Sequence, residues 1–513
     1  MMNRHLGTLL DVTQVRHGER PFLLDRHATL TYREAAEATR RLAVWFRSRG
    51  LRQGDRVMIV AGNCCEVALA ALAAARIGAL FVIIHDAIRE QGLAKIVTQV
   101  EPSLVVIGES TARLACKFPG TTLAWAGPAM PGVGIPAIAE IVKENHPQVD
   151  ELSGTELDPV CLVFTSGTTG TPRGIVLNHD NIYFAADRIQ RRLGYRPSDI
   201  VGLFLPLSFD YGLYQIFLAA RAEASIYLGR PESVGPELLG TIESQRVTIL
   251  PGVPTLFAGL LTLLRRSPRA LPHLRCLTNT GAHLHRSHVE LLRRYLPAVK
   301  IFLMYGTTEC KRVSILLPEE LEAKPDSVGR PLDDTQVLIV DEAGHSLQPG
   351  QVGEVVVRGR HVAVGYWRAE QETLAVFRPH PSGSGRLLHT GDLGRMDEEG
   401  YLYVIGRKDD LFKRRGYRIH PAEIEEAASR IPGLAEVGAC LYAPDETLHL
   451  FVSVVDATFP VSDSDVLRQL RRELEPYKIP DKVHLVAELP KTGNGKLDRG
   501  GLSRLLAERC DDE

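Results

Sequence analysis

Ten residues, Thr165 to Gly174, constrain this chain more than any other stretch: TSGTTGTPRG holds five hydroxyl side chains, three glycines, one proline and one arginine. The apolar run Val160-Cys161-Leu162-Val163-Phe164 leads in and Ile175-Val176-Leu177 leads out. Both flanks read as strands, joined by an exposed turn. Glycine lets a turn backbone come close to a ligand. Free N–H groups and the hydroxyls of Thr165, Ser166, Thr168 and Thr169 then converge on an anion, with Arg173 adding charge-assisted bonds. The stretch reads as a polyphosphate grip; a solvated linker turn fits the tight apolar flanks less well. It is not a Walker A loop, because no Gly-x-x-x-x-Gly-Lys-Ser/Thr occurs and the turn runs into a strand.

The chain has 513 residues, enough for about three domain-sized units. Its net charge of -2, from 60 basic and 62 acidic residues, argues against a nucleic-acid partner. The eight cysteines are scattered, with Cys64-Cys65 the one close pair; neither a zinc pattern nor a disulfide framework emerges, which suits a reducing cytosol. No apolar leader opens the chain, and the most apolar long segment, Val67 to Ile84, is broken by Arg76 and Gly78. That segment reads as a buried helix running into a strand rather than a membrane span. The expectation is a cytoplasmic protein with no membrane partner.

Residues 1 to about 150 alternate helical and strand patterns, with a helix starting at Thr29-Leu30-Thr31-Tyr32 and strands at Arg56–Val60, Ala79–Ile84 and Ser103–Ile107. After the 165–174 loop the same rhythm continues. Asn178 reads as a helix N-cap, and strands at Ile200–Leu205, Leu274–Leu277 and Ile301–Met304 end in small, polar or acidic residues, where doubly wound sheets bind ligands. From about Val337 short, closely spaced strands predict a compact β module. An all-polar segment, Gly406-Arg407-Lys408-Asp409-Asp410, then precedes a last α+β unit ending in the loop Pro490-Lys491-Thr492-Gly493-Asn494-Gly495-Lys496. The expected fold is α/β: a large N-terminal domain (1–407) of two α/β sheet subdomains plus a small β module, followed by a hinged C-terminal domain (408–513).

TSGTTGTPRG, YGTTE (Tyr305–Glu309), TGD (Thr390–Asp392), GRKDDLFKRRGYRIHPAEIE and PKTGNGK occur in one order along nearly the whole chain. In this the chain resembles the adenylate-forming superfamily of acyl-CoA synthetases, firefly luciferase and nonribosomal peptide synthetase adenylation domains. The resemblance implies ATP and Mg²⁺ as cofactors, conversion of a carboxylate to an acyl-adenylate, and transfer to a thiol. It implies that Thr165, Ser166, Gly167, Thr168, Thr169, Gly170 and Arg173 hold the β- and γ-phosphates. Tyr305, Gly281 and Ala282 would take adenine, Thr308 the α-phosphate, Glu309 the magnesium ion, Asp392 the ribose and Arg407 the nucleotide near the hinge. Lys496 would stabilise charge during adenylation, Asp409 would be the hinge, and Gly416 would meet the thiol arm. Arg173 departs from the lysine usual in this family; it keeps the charge but not the geometry. Apart from the resemblance, Asp392 could simply cap a turn. His389, His420 and the cysteine pair read as structural.

Asp210, in Leu207-Ser208-Phe209-Asp210-Tyr211-Gly212, carries the substrate argument. Many acyl-CoA synthetases have Phe-His here, whereas the amino-acid-activating members have Phe-Asp, pairing the substrate ammonium. A buried carboxylate needs a cationic partner, which an ammonium substrate supplies; alternatively Asp210 hydrogen-bonds protein groups beside the pocket and contacts no substrate. Tyr211, Tyr214, Thr278, Thr280, Met304 and Arg312 fall at acyl-pocket positions of similar proteins. Together they resemble free-standing ligases that load proline or another small amino acid onto a carrier protein, while Arg312 either meets an acidic substrate or points to solvent. No phosphopantetheine attachment site follows Lys496, so a separate carrier protein is the expected acceptor, with coenzyme A the alternative.

Overall fold

The computed structural model describes residues 4–128, 134–144, 152–166, 172–231, 234–380, 385–410, 412–414, 417–442, 447–454, 461–491 and 497–511. Two large sheets make up most of the N-terminal domain. The first has seven strands in the order Gly365–Tyr366, Pro172–Asn178, Pro159–Ser166, Leu80–Ile84, Arg56–Val60, Leu104–Gly108 and Thr122–Ala126. The second has nine, running Arg330–Pro331, Ser314–Leu316, Lys300–Tyr305, Cys276–Asn279, Ile249–Gly252, Ile200–Leu203, Ser225–Leu228, Pro21–Leu24 and Thr29–Thr31. Their central strands are parallel, so their carboxyl ends collect on one side of each sheet.

Helix Cys65–Arg76 shows why the apolar stretch around it is not a membrane span. All its residues except Glu66 are buried, as expected of a helix that is apolar all round inside a large domain. Arg76, the residue that breaks the run, is neutralised by Asp11 at 3.1 Å. Among the described residues no helix is long and apolar enough to cross a membrane.

The helix expected from Thr29 begins three residues later. Thr29–Thr31 pairs with Pro21–Leu24 as an edge strand, and the helix runs Tyr32–Ser48. Thr31 is its N-cap: its Oγ1 accepts from the Glu34 amide at 3.2 Å, while Glu34 Oε2 accepts from the Thr31 amide at 2.8 Å. Thr31→Ala removes one side of this box. It is expected to loosen the first turn by about 1 kcal/mol, read as roughly five-fold faster hydrogen exchange at the Glu34 amide. Asn178 caps helix His179–Leu193 in the same way.

The β module is a five-stranded sheet of Gln336–Val340, Gly353–Arg358, Phe377–Pro379, Arg386–Met396 and Leu402–Arg407. Beyond it, a smaller C-terminal domain sets the helices Pro421–Ser429, Asp463–Glu473 and Arg499–Asp511 around a three-stranded sheet, Leu434–Tyr442, Thr447–Val454 and Lys482–Leu485. It has cores of its own, one around Ile424, Leu450 and Leu470 and one around Phe451, Leu502 and Leu506. The terminal helix Arg499–Asp511 is an addition to the elements expected from the sequence.

Candidate active site

The 165–174 stretch is a hairpin, as its flanks imply. Strand Pro159–Ser166 pairs antiparallel with Pro172–Asn178, Thr165 standing opposite Arg173 and Ser166 opposite Pro172. The turn itself, with Gly167, Thr168, Thr169 and Gly170, lies outside the described residues. Arg173 sets its guanidinium 5.8 Å from the centre of the Tyr366 ring. The Tyr366 hydroxyl donates to Glu309 Oε1 at 3.0 Å, so the hairpin is connected to the YGTTE turn of the other sheet.

That turn leaves strand Lys300–Tyr305 and folds back on itself. The amides of Cys310 and Lys311 donate to the Thr307 carbonyl, and the Val313 amide donates to the Tyr305 carbonyl. The reversal demands glycine at 306, where a Cβ would lie 1.5 Å from the Lys311 carbonyl oxygen. It also places Lys311 at a φ of 61°, rare for a residue with a side chain. Thr308 and Glu309 are half-buried on the turn, and the Glu309 carbonyl is held by the Ala363 amide at 2.8 Å. Among the described residues Glu309 Oε2 accepts no hydrogen bond.

Asp392 sits inside strand Arg386–Met396. Glu354 pairs with Leu393 and Val356 with His389, so Thr390, Gly391 and Asp392 bulge opposite the single residue Val355. Gly391 supplies the φ of 72° that the bulge needs. The bulge aims Asp392 at the Tyr305 hydroxyl, which donates to Oδ2 at 2.6 Å, while Arg407 Nη1 donates to Oδ1 at 3.2 Å. Burial pushes the Asp392 carboxyl above its usual range, against the pull of Arg407 and Tyr305. Strand register, with Asn279 opposite Leu303, brings the Thr280–Ala282 turn beside Tyr305. Gly281 there has a φ of 89°, and Asn279 Nδ2 donates to the Ala282 carbonyl at 3.0 Å.

The residues expected to hold the acid are buried together. Asp210 opens helix Asp210–Arg221, which also carries Tyr211 and Tyr214. Tyr211 donates to the Thr278 carbonyl at 2.6 Å, and the Arg312 guanidinium stacks 4.3 Å over the Tyr211 ring. Thr280 and Met304 are buried at the ends of adjacent strands. Arg312 does not point to solvent: it is 1% exposed, and its Nε and Nη2 find no partner among the described residues, nor does the Tyr214 hydroxyl. Asp210 proves to have a protein cation beside it, Lys311 Nζ at 3.7 Å, so its burial alone does not demand a substrate ammonium. The separation exceeds a hydrogen bond, however, and Lys311 donates instead to the Thr308 carbonyl at 2.7 Å. Burial pushes the Lys311 ammonium down from its usual range while Asp210 pulls it back. Among the described residues the Asp210 carboxylate accepts no hydrogen bond.

Lys311 and Tyr366 escape a reading of the sequence. The signal for Lys311 is two adjacent cations, Lys311-Arg312, leading straight into the largely apolar Val313-Ser314-Ile315-Leu316. Tyr366 has only the Gly-Tyr-Trp context, which reads as core. His420 is structural as expected, its Nδ1 capping helix Pro421–Ser429 and its Nε2 contacting the Arg407 carbonyl at 2.7 Å. Asp409 is exposed on the short 3₁₀ turn Lys408–Asp410 that follows strand Leu402–Arg407. Lys496 and Gly416 lie outside the described residues. A separate cleft of ≈ 1030 Å³, lined by Asp25, Asp86, Glu109 and Arg230 among others, shares no residue with this site.

The AMP-binding enzyme family matches residues 10–367, and the AMP-binding enzyme C-terminal domain matches residues 423–496. A linear gramicidin synthase polypeptide of Brevibacillus parabrevis is 28% identical over 94% of this chain, which spans only 6% of that protein's length. 2-Succinylbenzoate–CoA ligase of Oceanobacillus iheyensis is 27% identical over 93% of this chain and 94% of its own. A solved structure of VinN in complex with L-aspartate is 29% identical and covers 78% of this chain and 98% of that one, with a TM-score of 0.69.

Proposed function

The chain belongs to the AMP-binding enzyme family, and from that premise we propose that it adenylates a small amino acid bearing a second carboxylate and passes the acyl group to the phosphopantetheine thiol of a separate carrier protein. At the coarser level it is an adenylate-forming, AMP-producing acid–thiol ligase that uses ATP.

One observation carries the choice of acid: the buried Arg312 guanidinium, whose Nε and Nη2 find no partner among the described residues, stacks on Tyr211, the neighbour of Asp210, whose carboxylate accepts no hydrogen bond among those residues. Asp210, Lys311 and Arg312 together leave one positive charge in excess, which a second carboxylate on the substrate neutralises. Arg312 would bind it through the fork of N–H groups that suits a planar carboxylate. Asp210, which Lys311 approaches without a hydrogen bond, would accept from the substrate ammonium. The likeness to VinN, whose solved complex holds L-aspartate, supports this reading.

In the nucleotide half of the site, the 165–173 hairpin would grip the β- and γ-phosphates and Tyr305, with Gly281 and Ala282, the adenine. Asp392 and Arg407 would take the ribose and Thr308 the α-phosphate. Glu309 suits Mg²⁺: its Oε2, which accepts no hydrogen bond among the described residues, is the kind of hard ligand the ion takes, usually from one or two carboxylates together with substrate phosphates. When bound, the ion neutralises charge on the phosphate oxygens. A boundary at residues 407 and 408, with Asp409 as pivot, would let the C-terminal domain present Lys496 for adenylation and the Gly416 face for thiol transfer.

Coenzyme A is the second reading for the acceptor, favoured by the whole-length likeness to a CoA ligase. ATP–pyrophosphate exchange with a panel of acids tests the first half-reaction. L-Aspartate and related amino diacids should stimulate it above proline, and above diacids lacking the amino group. Stimulation only by monocarboxylic acids would defeat the assignment of Arg312, and stimulation only by acids without an amino group that of Asp210. Offering coenzyme A and pantetheinylated carrier protein side by side then decides the acceptor.

A further inference from the structure

We propose that Tyr366 is a positioning residue that fixes the Glu309 carboxylate for the divalent cation of the nucleotide; the inference rests on the reading of Glu309 as the cation's ligand. Glu309 stands on a turn beyond the end of its strand, where a carboxylate is free to rotate unless something outside the turn holds it. The segment Ala363–Trp367 does so at two points. The Ala363 amide binds the Glu309 carbonyl at 2.8 Å, and the Tyr366 hydroxyl donates to Oε1 at 3.0 Å. With Oε1 engaged, Oε2 is the oxygen that accepts no hydrogen bond among the described residues.

Tyr366 is itself immobilised. It is 9% exposed, pairs across the sheet with Ile175 of the hairpin's outgoing strand, donates its amide to Thr373 Oγ1 at 2.9 Å and packs edge-on against Phe377 at 5.4 Å. The same segment holds the hairpin: the Trp367 amide donates to the Gly174 carbonyl at 2.7 Å, and the Trp367 indole to the Gln99 carbonyl at 2.9 Å. Arg173 lies over the Tyr366 ring, so one phenol touches the residue reaching for the phosphates and the residue reaching for the cation. Outer groups that orient a metal ligand typically alter metal affinity about 10- to 100-fold when removed.

Tyr366→Phe deletes the hydroxyl and keeps the ring, so packing on Phe377 and the contact with Arg173 survive. Mn²⁺ serves as the probe, its affinity for the full-length enzyme with a non-hydrolysable ATP analogue being read by electron paramagnetic resonance. The variant should bind Mn²⁺ about 10-fold more weakly. The cation midpoint of pyrophosphate exchange should shift equally, with the KM for the acid and the thermal midpoint unchanged. A phenol that only fills the core would leave Mn²⁺ affinity within about two-fold of the parent, well short of the loss expected of an orienting group, and that result overturns the inference. Glu309→Gln is the companion. If it too leaves Mn²⁺ affinity intact, the metal assignment of Glu309 is what fails; if it weakens binding and Tyr366→Phe does not, the positioning role alone falls.

Discussion

Arg312→Leu is expected to lower kcat/KM for an amino diacid by roughly two to three orders of magnitude while leaving the protein as stable as before, or more so. The loss follows from removing one member of a buried ion pair with the substrate, an interaction whose truncation commonly amounts to about 2–5 kcal/mol. Stability should move the other way because the free protein gains little from this residue. Among the described residues the guanidinium, 1% exposed, has two nitrogens unpartnered, and the contact that compensates it there is the Tyr211 ring at 4.3 Å. A cation over a ring contributes about 0.5–2 kcal/mol, less than the several kcal/mol that taking an ion out of water costs. A residue kept at a loss in the folded protein points to a gain in the bound state. Thermal melting and exchange kinetics on one sample check both halves. A leucine variant that melts lower and loses activity equally on every acid would make Arg312 a structural residue.

Asp210→Asn should behave differently. It leaves Lys311 without its counter-charge at 3.7 Å, so its effects on substrate and on the pocket are mixed. Arg312 is therefore the cleaner probe of the acid, although Asp210 is the more conspicuous residue in the sequence.

Much of the site is legible in the sequence because it depends on local chemistry. Glycine and hydroxyl residues between two apolar, strand-forming runs signal a hairpin from local sequence alone, and strand Arg56–Val60 coincides with its expected limits. What escapes depends on partners remote in sequence. Thr29–Thr31 is an edge strand only because Pro21–Leu24 lies between it and Ser225–Leu228; alone, Thr-Leu-Thr-Tyr reads equally well as a helix start. Asp392 sits in a bulge whose existence depends on the register against Gly353–Arg358. Lys311 is hidden for a third reason. Its ammonium is buried beside Asp210, whereas charge patterns on a sequence are read as solvent-facing by default. A buried Asp210 does need a cation, and Lys311 supplies one from far along the same chain.

Lys496→Ala is expected to reduce ATP–pyrophosphate exchange by at least two to three orders of magnitude, about the effect of deleting one preorganised donor from developing charge. Nucleotide affinity should change only a few-fold, because an interaction made chiefly in the transition state contributes little to ground-state binding. The structure gives this prediction its mechanical basis. Lys491 and Leu497 are bridged at the foot of the loop, and Lys491 is anchored to Glu436 at 2.9 Å. Just beyond, Arg499 joins Glu425 at 2.8 Å and Asp410 at 3.0 Å. The described residues on either side of the loop are thus tied to the C-terminal domain and to the residue beside the proposed pivot, and under the proposed function Lys496 would travel with that domain. Transfer of a preformed acyl-adenylate to the thiol should then proceed in the alanine variant at close to the parent rate, since the lysine would be withdrawn during that step. Equal loss of both half-reactions would instead place Lys496 in a single fixed site and remove the need for any rotation about Asp409.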